Sequence, residues 1–160
     1  MGILGLNHAV LYVRNARRSA AFYTDVLGFT VRASLGDRAF FLRAPASVND
    51  HDLGLFEIGP DDDLPRHRVG LYHLAWQVAT IDELASVRTR LLEAGALVGE
   101  SHHGVSVSVY ARDPDGIEFE VMWAVPEDQW PERVGTWPLD LDAEVARWAG
   151  VVTARPVVSG

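Results

Sequence analysis

Two histidines occupy matching positions in a sequence that repeats itself, and such a pair suggests metal binding. His8 begins the segment HAVLYV, and His73 begins the segment HLAWQV 65 positions later. Imidazole is the commonest side-chain ligand of metals in proteins. A single histidine in an apolar strand usually has a structural role, whereas two at equivalent positions of an internal repeat favour a shared function as ligands.

A carboxylate at the end of the second repeat is the candidate for a third ligand. The DPDG sequence at 113–116 predicts a tight turn that leads into a strand, in which alternation places Glu118 and Glu120 on one face. Two imidazoles and one carboxylate leave coordination positions open, which suits the oxygen chemistry of Fe(II). We therefore predict that His8, His73 and Glu120 bind a divalent metal. Fe(II) is the favoured ion, with Mn(II), Ni(II) or Zn(II) as alternatives, and Glu118 is expected to face solvent or to support the site.

The elements that must position these residues come in the same order in both halves of the chain. Each histidine opens a strand of alternating polarity, and a segment with apolar residues at helical spacing follows. Three further strands are predicted in each half, at 30–35, 38–44 and 53–59 and at 96–101, 105–112 and 117–123. Residues suited to helix caps flank both helices: Asn15 or Ser19 and Gly28 for the first, and Thr80 or Asp82 and Gly95 for the second.

The predicted fold class is α+β, with two tandem βαβββ modules at about 4–60 and 70–124. A βαβββ unit exposes an apolar sheet face that it cannot bury alone. We therefore expect the two modules, joined by a linker at 59–70, to form one domain (1–125) with a cleft-shaped mixed sheet. Residues 126–160 have no counterpart in the first half, and we expect this C-terminal extension to pack on the paired modules.

Composition narrows the classes of partner. The 160 residues carry a formal net charge of -8 at pH 7, which argues against nucleic acid or an anionic membrane as a partner. The absence of cysteine excludes disulfides and thiolate metal sites. No apolar run approaches the ~20 residues of a membrane helix, and the N-terminus lacks the charged region of a signal peptide, so we expect a cytoplasmic protein. Arg14, Arg17 and Arg18 form a local basic cluster, which we interpret as a solvated helix start.

These motifs resemble those of the vicinal oxygen chelate superfamily. That superfamily includes glyoxalase I, bleomycin-resistance proteins, fosfomycin-resistance enzymes, methylmalonyl-CoA epimerase and type I extradiol dioxygenases. The similarity extends over about residues 4–125, and its motifs are His8 and His73 at strand starts, FYTDVLGF at 22–29, DPDG at 113–116 and Glu120 four residues after its glycine. The resemblance implies a metal protein of paired modules and leaves the reaction open.

The second module most resembles that of the extradiol ring-cleaving dioxygenases. In those enzymes a His and a Tyr beside the metal contact the catecholate, and the matching residues are His103 and Tyr110. The stretch DHDLGLF at 50–56 resembles the segment that carries their proton-handling histidine, which implies an acid/base role for His51. The resemblance therefore implies a small dioxygenase with one pair of modules, which takes O2 and a catecholic or other small vicinal-oxygen substrate.

Two other functions stay open at this stage. Glu57 ends the sequence LGLFE, where glyoxalase I has a fourth ligand, and a His-Glu-His-Glu set with Ni(II) or Zn(II) would suit an isomerase, lyase or epimerase. A binding protein of the bleomycin-resistance kind would need no metal. Many extradiol enzymes have two pairs of modules, whereas this chain has one, and family analogy favours a homodimer.

Overall fold

The chain forms two βαβββ modules, and the predicted α+β class is confirmed. The computed structural model describes residues 5–60, 70–133 and 135–153, so the predicted linker lies, from 61 to 69, outside the described residues. Two compact units are present: unit 1 is Met1–Arg68 with Asp113–Gly116, and unit 2 is Val69–Arg112 with Ile117–Gly160. Among the described helices, none has the length and hydrophobicity needed to cross a membrane.

Unit 1 holds one helix against a four-stranded mixed sheet. Its elements are β1 (Ala9–Val13), α1 (Ala16–Leu27), β2 (Thr30–Ser34), β3 (Ala39–Arg43) and β4 (Leu53–Glu57). The strand order is β1-β4-β3-β2, in which β1 and β4 are parallel and the other neighbours are antiparallel. Helix α1 begins where the Asn15 side chain accepts a hydrogen bond from the Arg18 backbone, and it ends at Gly28, whose φ of 76° is left-handed.

Unit 2 repeats this arrangement. Its elements are β5 (Leu74–Val78), α2 (Ile81–Glu93), β6 (Leu97–His102), β7 (Ser106–Arg112) and β8 (Glu118–Ala124). The strand order is β5-β8-β7-β6, again with one parallel pair, β5 and β8. Helix α2 begins with a capping box between Thr80 and Glu83, and Gly95 follows its last turn with a φ of 65°.

Alternation along the strands gives each sheet a core face and an accessible face. Leu53 and Leu55 of β4 are fully buried, as are Val107 and Val109 of β7, whereas Val10 of β1 is 53% exposed. The sequence predicts His8 and His73 as the first residues of strands. The structure places each one residue before its strand, in phase with the accessible face.

The DPDG turn supplies a buried carboxylate to unit 1. The Asp115 side chain is 3% exposed, and it accepts a 2.8 Å hydrogen bond from the Arg14 backbone N–H. It also forms ion pairs with the guanidinium groups of Arg14 and Arg18. The third arginine of the cluster, Arg17, pairs with the exposed Asp37. The interpretation of the three arginines as a solvated helix start is therefore incomplete, because Arg14 and Arg18 hold the buried Asp115 carboxylate.

The C-terminal extension packs on the second module. A 3-10 helix (Glu127–Gln129) and helix α3 (Leu141–Trp148) follow β8, and α3 contacts α2. The ring centroids of Trp148 and Trp123 are 5.6 Å apart. Near β6, His102 and Trp137 exchange two backbone hydrogen bonds of 3.0 and 2.9 Å. The extension thus packs against helix α2 and also pairs with the edge strand β6.

We predict that Asp115→Asn lowers the free energy of unfolding by about 2 kcal/mol, because a buried group loses its charge-assisted hydrogen bonds. Asp37→Asn is the matched control: its carboxylate pairs with Arg17 on the surface, where such pairs contribute little, so stability should stay nearly unchanged. Urea unfolding followed by far-UV circular dichroism, which reports both units, measures both variants. Equal effects would contradict the structural role of the buried turn.

Candidate metal and substrate site

His73 and Glu120 come together because the first and last strands of the second module are parallel neighbours. Glu120 lies opposite Ala75 in the β5–β8 pair, and His73 precedes Ala75 by two residues, so both side chains are on the same face. The His73 Nε2 and Glu120 Oε2 atoms are 3.2 Å apart, and the two side chains are 25% and 12% exposed. A histidine and a carboxylate thus lie side by side on the accessible face of the sheet, and neighbouring residues bury most of the surface of both side chains.

The donor atoms of this pair fit a divalent metal. Two ligands that bind one ion at about 2.1 Å and at right angles are about 3 Å apart, which is close to the 3.2 Å separation of Nε2 and Oε2. Nδ1 of His73 is buried and makes no hydrogen bond with the described residues. Glu118 is engaged elsewhere, since it pairs with Arg112 at 3.5 Å. Within the described part of unit 2, no third His, Asp or Glu groups with the pair.

Tyr110 and His103 stand beside this pair. Tyr110 is opposite Glu120 in the β7–β8 ladder, and its ring centroid lies 5.9 Å from that of His73. The Tyr110 hydroxyl is 2.7 Å from Nε2 of His103. Burial raises the pKa of Tyr110, and the neighbouring Glu120 carboxylate adds to the increase. The phenol therefore stays protonated at neutral pH, and its hydroxyl can hydrogen-bond a bound oxygen atom.

Two hydroxyl groups that the sequence analysis does not identify contact His103. Ser101 Oγ lies 3.0 Å from Nε2, and Thr136 Oγ1 lies 3.2 Å from Nδ1. A signal for Ser101 exists in strand alternation, because Ser101 pairs with Ser108 and so shares a face with Tyr110. Thr136 belongs to the C-terminal extension, which has no counterpart in the first half, so comparison of the repeats gives no signal for it.

Unit 1 brings His8 next to His51. Their ring centroids are 4.7 Å apart, and the ring of Phe41 is 5.2 Å from that of His51. Nδ1 of His8 donates a 2.8 Å hydrogen bond to Oδ1 of Asn7, and Nδ1 of His51 donates a 2.9 Å bond to the Asp50 carboxylate. This hydrogen bond from His51 lowers the pKa of Asp50. Because both Nδ1 atoms carry the proton, both imidazoles keep an Nε2 lone pair that can bind a metal or a proton.

Glu57 lies far from His8, so the geometry does not support its role as a fourth ligand. In the parallel β1–β4 pair, Glu57 is opposite Val13, at the other end of β1 from His8. At about 3.3 Å per residue, the separation along the strand is roughly 16 Å. Alternation also puts Glu57 on the core face with Leu53. Its Oε2 atom accepts a 3.1 Å hydrogen bond from the backbone N–H of Ala16, so the carboxylate caps α1.

The first module has a glycine, Gly54, where the second has Glu120. Glu120 lies opposite the second residue of β5, and Gly54 lies opposite Val10, the second residue of β1. A Cβ at Gly54 would come within 3.3 Å of a Val10 methyl group. The position in the first module that is equivalent to Glu120 therefore has no side chain. Of these two equivalent positions, only the one in the second module carries a carboxylate.

Comparison with known proteins agrees with the repeat and its motifs. Residues 5–121 match the model of the Glyoxalase/Bleomycin resistance protein/Dioxygenase superfamily. The chain is similar to a catechol-2,3-dioxygenase of Bacillus subtilis (strain 168), with 33% identity over 141 residues that cover 86% of this chain and 48% of the relative. It is also similar to an iron-dependent extradiol dioxygenase of Rhodococcus jostii (strain RHA1), with 28% identity over 84% of this chain and 49% of the relative. The chain thus spans about half the length of these curated relatives.

Solved structures carry the same fold. A glyoxylase/bleomycin resistance protein/dioxygenase domain from Frankia sp. EAN1pec matches with a TM-score of 0.65 and 26% identity, over 79% of this chain and 96% of that one. Its description covers several reactions, so it supports the fold and the family rather than one activity. The family match across both modules, together with this similarity of fold, identifies the chain as a member of the glyoxalase/bleomycin resistance protein/dioxygenase superfamily.

Proposed function

We propose that this protein is a divalent-metal-dependent dioxygenase of the extradiol type, which opens the ring of a catecholic substrate with O2. The observation that carries the proposal is one cluster in unit 2. There, His73 and Glu120 have the spacing of two metal ligands, and the hydroxyl of Tyr110 contacts His103 beside them. The relatives named catechol-2,3-dioxygenase and iron-dependent extradiol dioxygenase support the proposal, and this chain spans about half of their length.

We infer three protein ligands: His8, His73 and Glu120. His8 occupies the repeat position of His73, and the hydrogen bond from its Nδ1 to Asn7 leaves the Nε2 lone pair free. Ligands of this kind leave coordination positions open for a substrate and O2, as in non-haem Fe(II) oxygenases. We favour Fe(II) over Mn(II), Ni(II) or Zn(II), and the Rhodococcus relative is named iron-dependent. The chemistry that Fe(II) supplies when bound is the activation of dioxygen beside a chelated catecholate.

The neighbouring side chains have the properties needed to handle the oxygen atoms and protons of a substrate. Tyr110 is kept protonated by burial, its hydroxyl is oriented by His103, and its oxygen can accept a hydrogen bond from a catechol hydroxyl. His51, oriented by the 2.9 Å hydrogen bond to Asp50, is the proposed acid/base group. Imidazole suits that role because it gains and loses a proton near neutral pH.

A glyoxalase-like isomerase, lyase or epimerase has less support. That function calls for a fourth ligand, whereas Glu57 caps α1 and the equivalent of Glu120 is Gly54. A metal-free binding protein would not need the close pairing of His73 and Glu120. The homodimer and the cytoplasmic location expected from the sequence remain predictions.

We predict that Glu120→Gln weakens Fe(II) binding at least ~10-fold, because an amide of the same shape replaces a charged ligand. Glu118→Gln is the matched control in the same strand, and its loss of the Arg112 ion pair should leave Fe(II) binding nearly unchanged. His8→Ala and His73→Ala should each lose bound metal. Anaerobic Fe(II) titration by calorimetry, with elemental analysis of the desalted protein, measures all four variants. Equal affinities of Glu120→Gln and the wild type would remove Glu120 from the ligand set.

Iron-loaded protein is expected to consume O2 in the presence of catechols and to form a yellow ring-opened product. An oxygen electrode and absorbance spectra, recorded over a panel of substituted catechols, measure both. Chelation of the metal should abolish O2 uptake, and anaerobic reloading with Fe(II) should restore it. If iron-bound protein takes up no O2 with any catechol of the panel, the dioxygenase proposal fails while the metal site stands.

Glu57→Gln separates the dioxygenase from the four-ligand alternative. We expect the affinities for Fe(II), Ni(II) and Zn(II) to stay unchanged. Stability should fall by about 0.5 kcal/mol, because α1 loses a negative charge at its N-terminus. Metal titration and urea unfolding of the same preparation measure the two effects. A ~10-fold loss of Ni(II) affinity at constant stability would instead favour the isomerase.

A further inference from the structure

We infer that Thr136, in the C-terminal extension, is a positioning residue for the candidate site. Its hydroxyl accepts a hydrogen bond from Nδ1–H of His103, which leaves Nε2 as an acceptor for the Tyr110 hydroxyl. The inference rests on the proposed function, because it assigns the extension a part in the same site. Thr136 Oγ1 lies 3.2 Å from Nδ1, on the opposite side of the ring from Tyr110.

The distances on the two sides of the His103 ring favour this tautomer. A neutral imidazole has one N–H donor and one acceptor nitrogen. The 2.7 Å separation between Nε2 and the Tyr110 hydroxyl is typical of an O–H donor, whereas N–H donors are commonly about 2.9–3.0 Å from oxygen. The 3.2 Å separation between Nδ1 and Thr136 Oγ1 lies within the range of an N–H donor. Ser101 presents a second hydroxyl to Nε2, at 3.0 Å.

Backbone pairing places Thr136 directly across from His103. His102 and Trp137 form an antiparallel bridge, with N–H to O distances of 3.0 and 2.9 Å. In antiparallel pairing, the residue after one partner lies opposite the residue before the other. The register that joins His102 to Trp137 therefore sets Thr136 against His103, so the side-chain contact follows from the backbone.

Gly104 allows the extension to approach this closely, because a Cβ there would lie 2.6 Å from a ring carbon of Pro131. Within the extension, a Cβ at Gly135 would lie 2.7 Å from the indole of Trp137. Gly104 also has a φ of +81°, which side chains rarely tolerate. The loop after β6 thus packs closely against the Pro131 side chain of the extension.

The acceptor tautomer gives the Tyr110–His103 pair a direction for proton movement. With the Tyr110 proton directed at Nε2, the phenol oxygen keeps lone pairs that can accept a hydrogen bond from a catechol hydroxyl. As the catechol O–H bond breaks and its proton bonds to the Tyr110 oxygen, the Tyr110 proton moves to Nε2. The products are a catecholate, a neutral Tyr110 and an imidazolium whose Nδ1–H is still held by Thr136.

Thr136→Val removes the hydroxyl at nearly constant volume and tests the tautomer directly. Two-bond 1H–15N spectra of metal-free, 15N-labelled protein are recorded at about pH 8.5, where an ordinary imidazole is neutral. Signals of His103 are assigned by their loss in His103→Gln. We expect the Nδ1–H tautomer in the wild type and in Thr136→Ser, and the Nε2–H tautomer or a mixture in Thr136→Val.

Thr153→Val is the matched control, because it removes another hydroxyl of the extension, one that donates a 2.8 Å hydrogen bond to the Ala124 carbonyl. It should keep the wild-type tautomer. An Nε2–H tautomer in the wild type, or unchanged His103 signals in Thr136→Val, would overturn the inference.

In iron-loaded protein, Thr136→Val should lower kcat for catechols about 10-fold with little change in KM, and Thr136→Ser should restore kcat. A matching loss in Thr153→Val would mean that the extension acts through general stability, which would also overturn the positioning role. If the tautomers are as expected but the iron-loaded protein takes up no O2 with catechols, the proposed function is overturned. The role of Thr136 in positioning His103 then still holds.

Discussion

The candidate site depends on the parallel pairing of β5 with β8. Its backbone hydrogen bonds bring His73 next to Glu120, although more than forty residues separate them in the chain. Hydrophobic burial fixes the register of this pair, since Phe119, Val121 and Trp123 alternate with the polar residues and are at most 2% exposed. A slip by one residue would bury Glu120 and expose this apolar row, at about 1.5–3 kcal/mol for each large apolar side chain. The core of unit 2 therefore maintains the geometry of its polar face.

Local signals are sufficient to predict the elements of the two modules. Asn15 and Thr80 cap the two helices, each being one of two residues that the sequence offered, and the glycines after both helices have positive φ. Alternation also predicted the shared face of Glu118 and Glu120. These features depend on a few neighbouring residues, whose side-chain chemistry fixes the backbone within one turn or one strand.

The sequence was less informative wherever a contact joins distant segments. Glu57 is plausible as a ligand from its place at the end of a strand, but the register with β1 puts it beside the first turn of α1. Asp115 belongs to a predicted turn, yet its pairing with Arg14 and Arg18 depends on how the chain returns to unit 1. Thr136 lies in an extension without a repeat partner. In each case a side chain's role is set by tertiary register, which neither composition nor periodicity encodes.

Gly54 has a consequence for the charge that a bound metal would present to its substrate. With the proposed ligands, two neutral imidazoles and one carboxylate would reduce a divalent cation to a single net positive charge, whereas a second carboxylate among the ligands would cancel it. The residual charge would favour an anionic oxygen chelate over a neutral carbonyl compound. Gly54, which has no side chain, gives the first module no carboxylate equivalent to Glu120, and the proposed ligand set therefore keeps this residual charge.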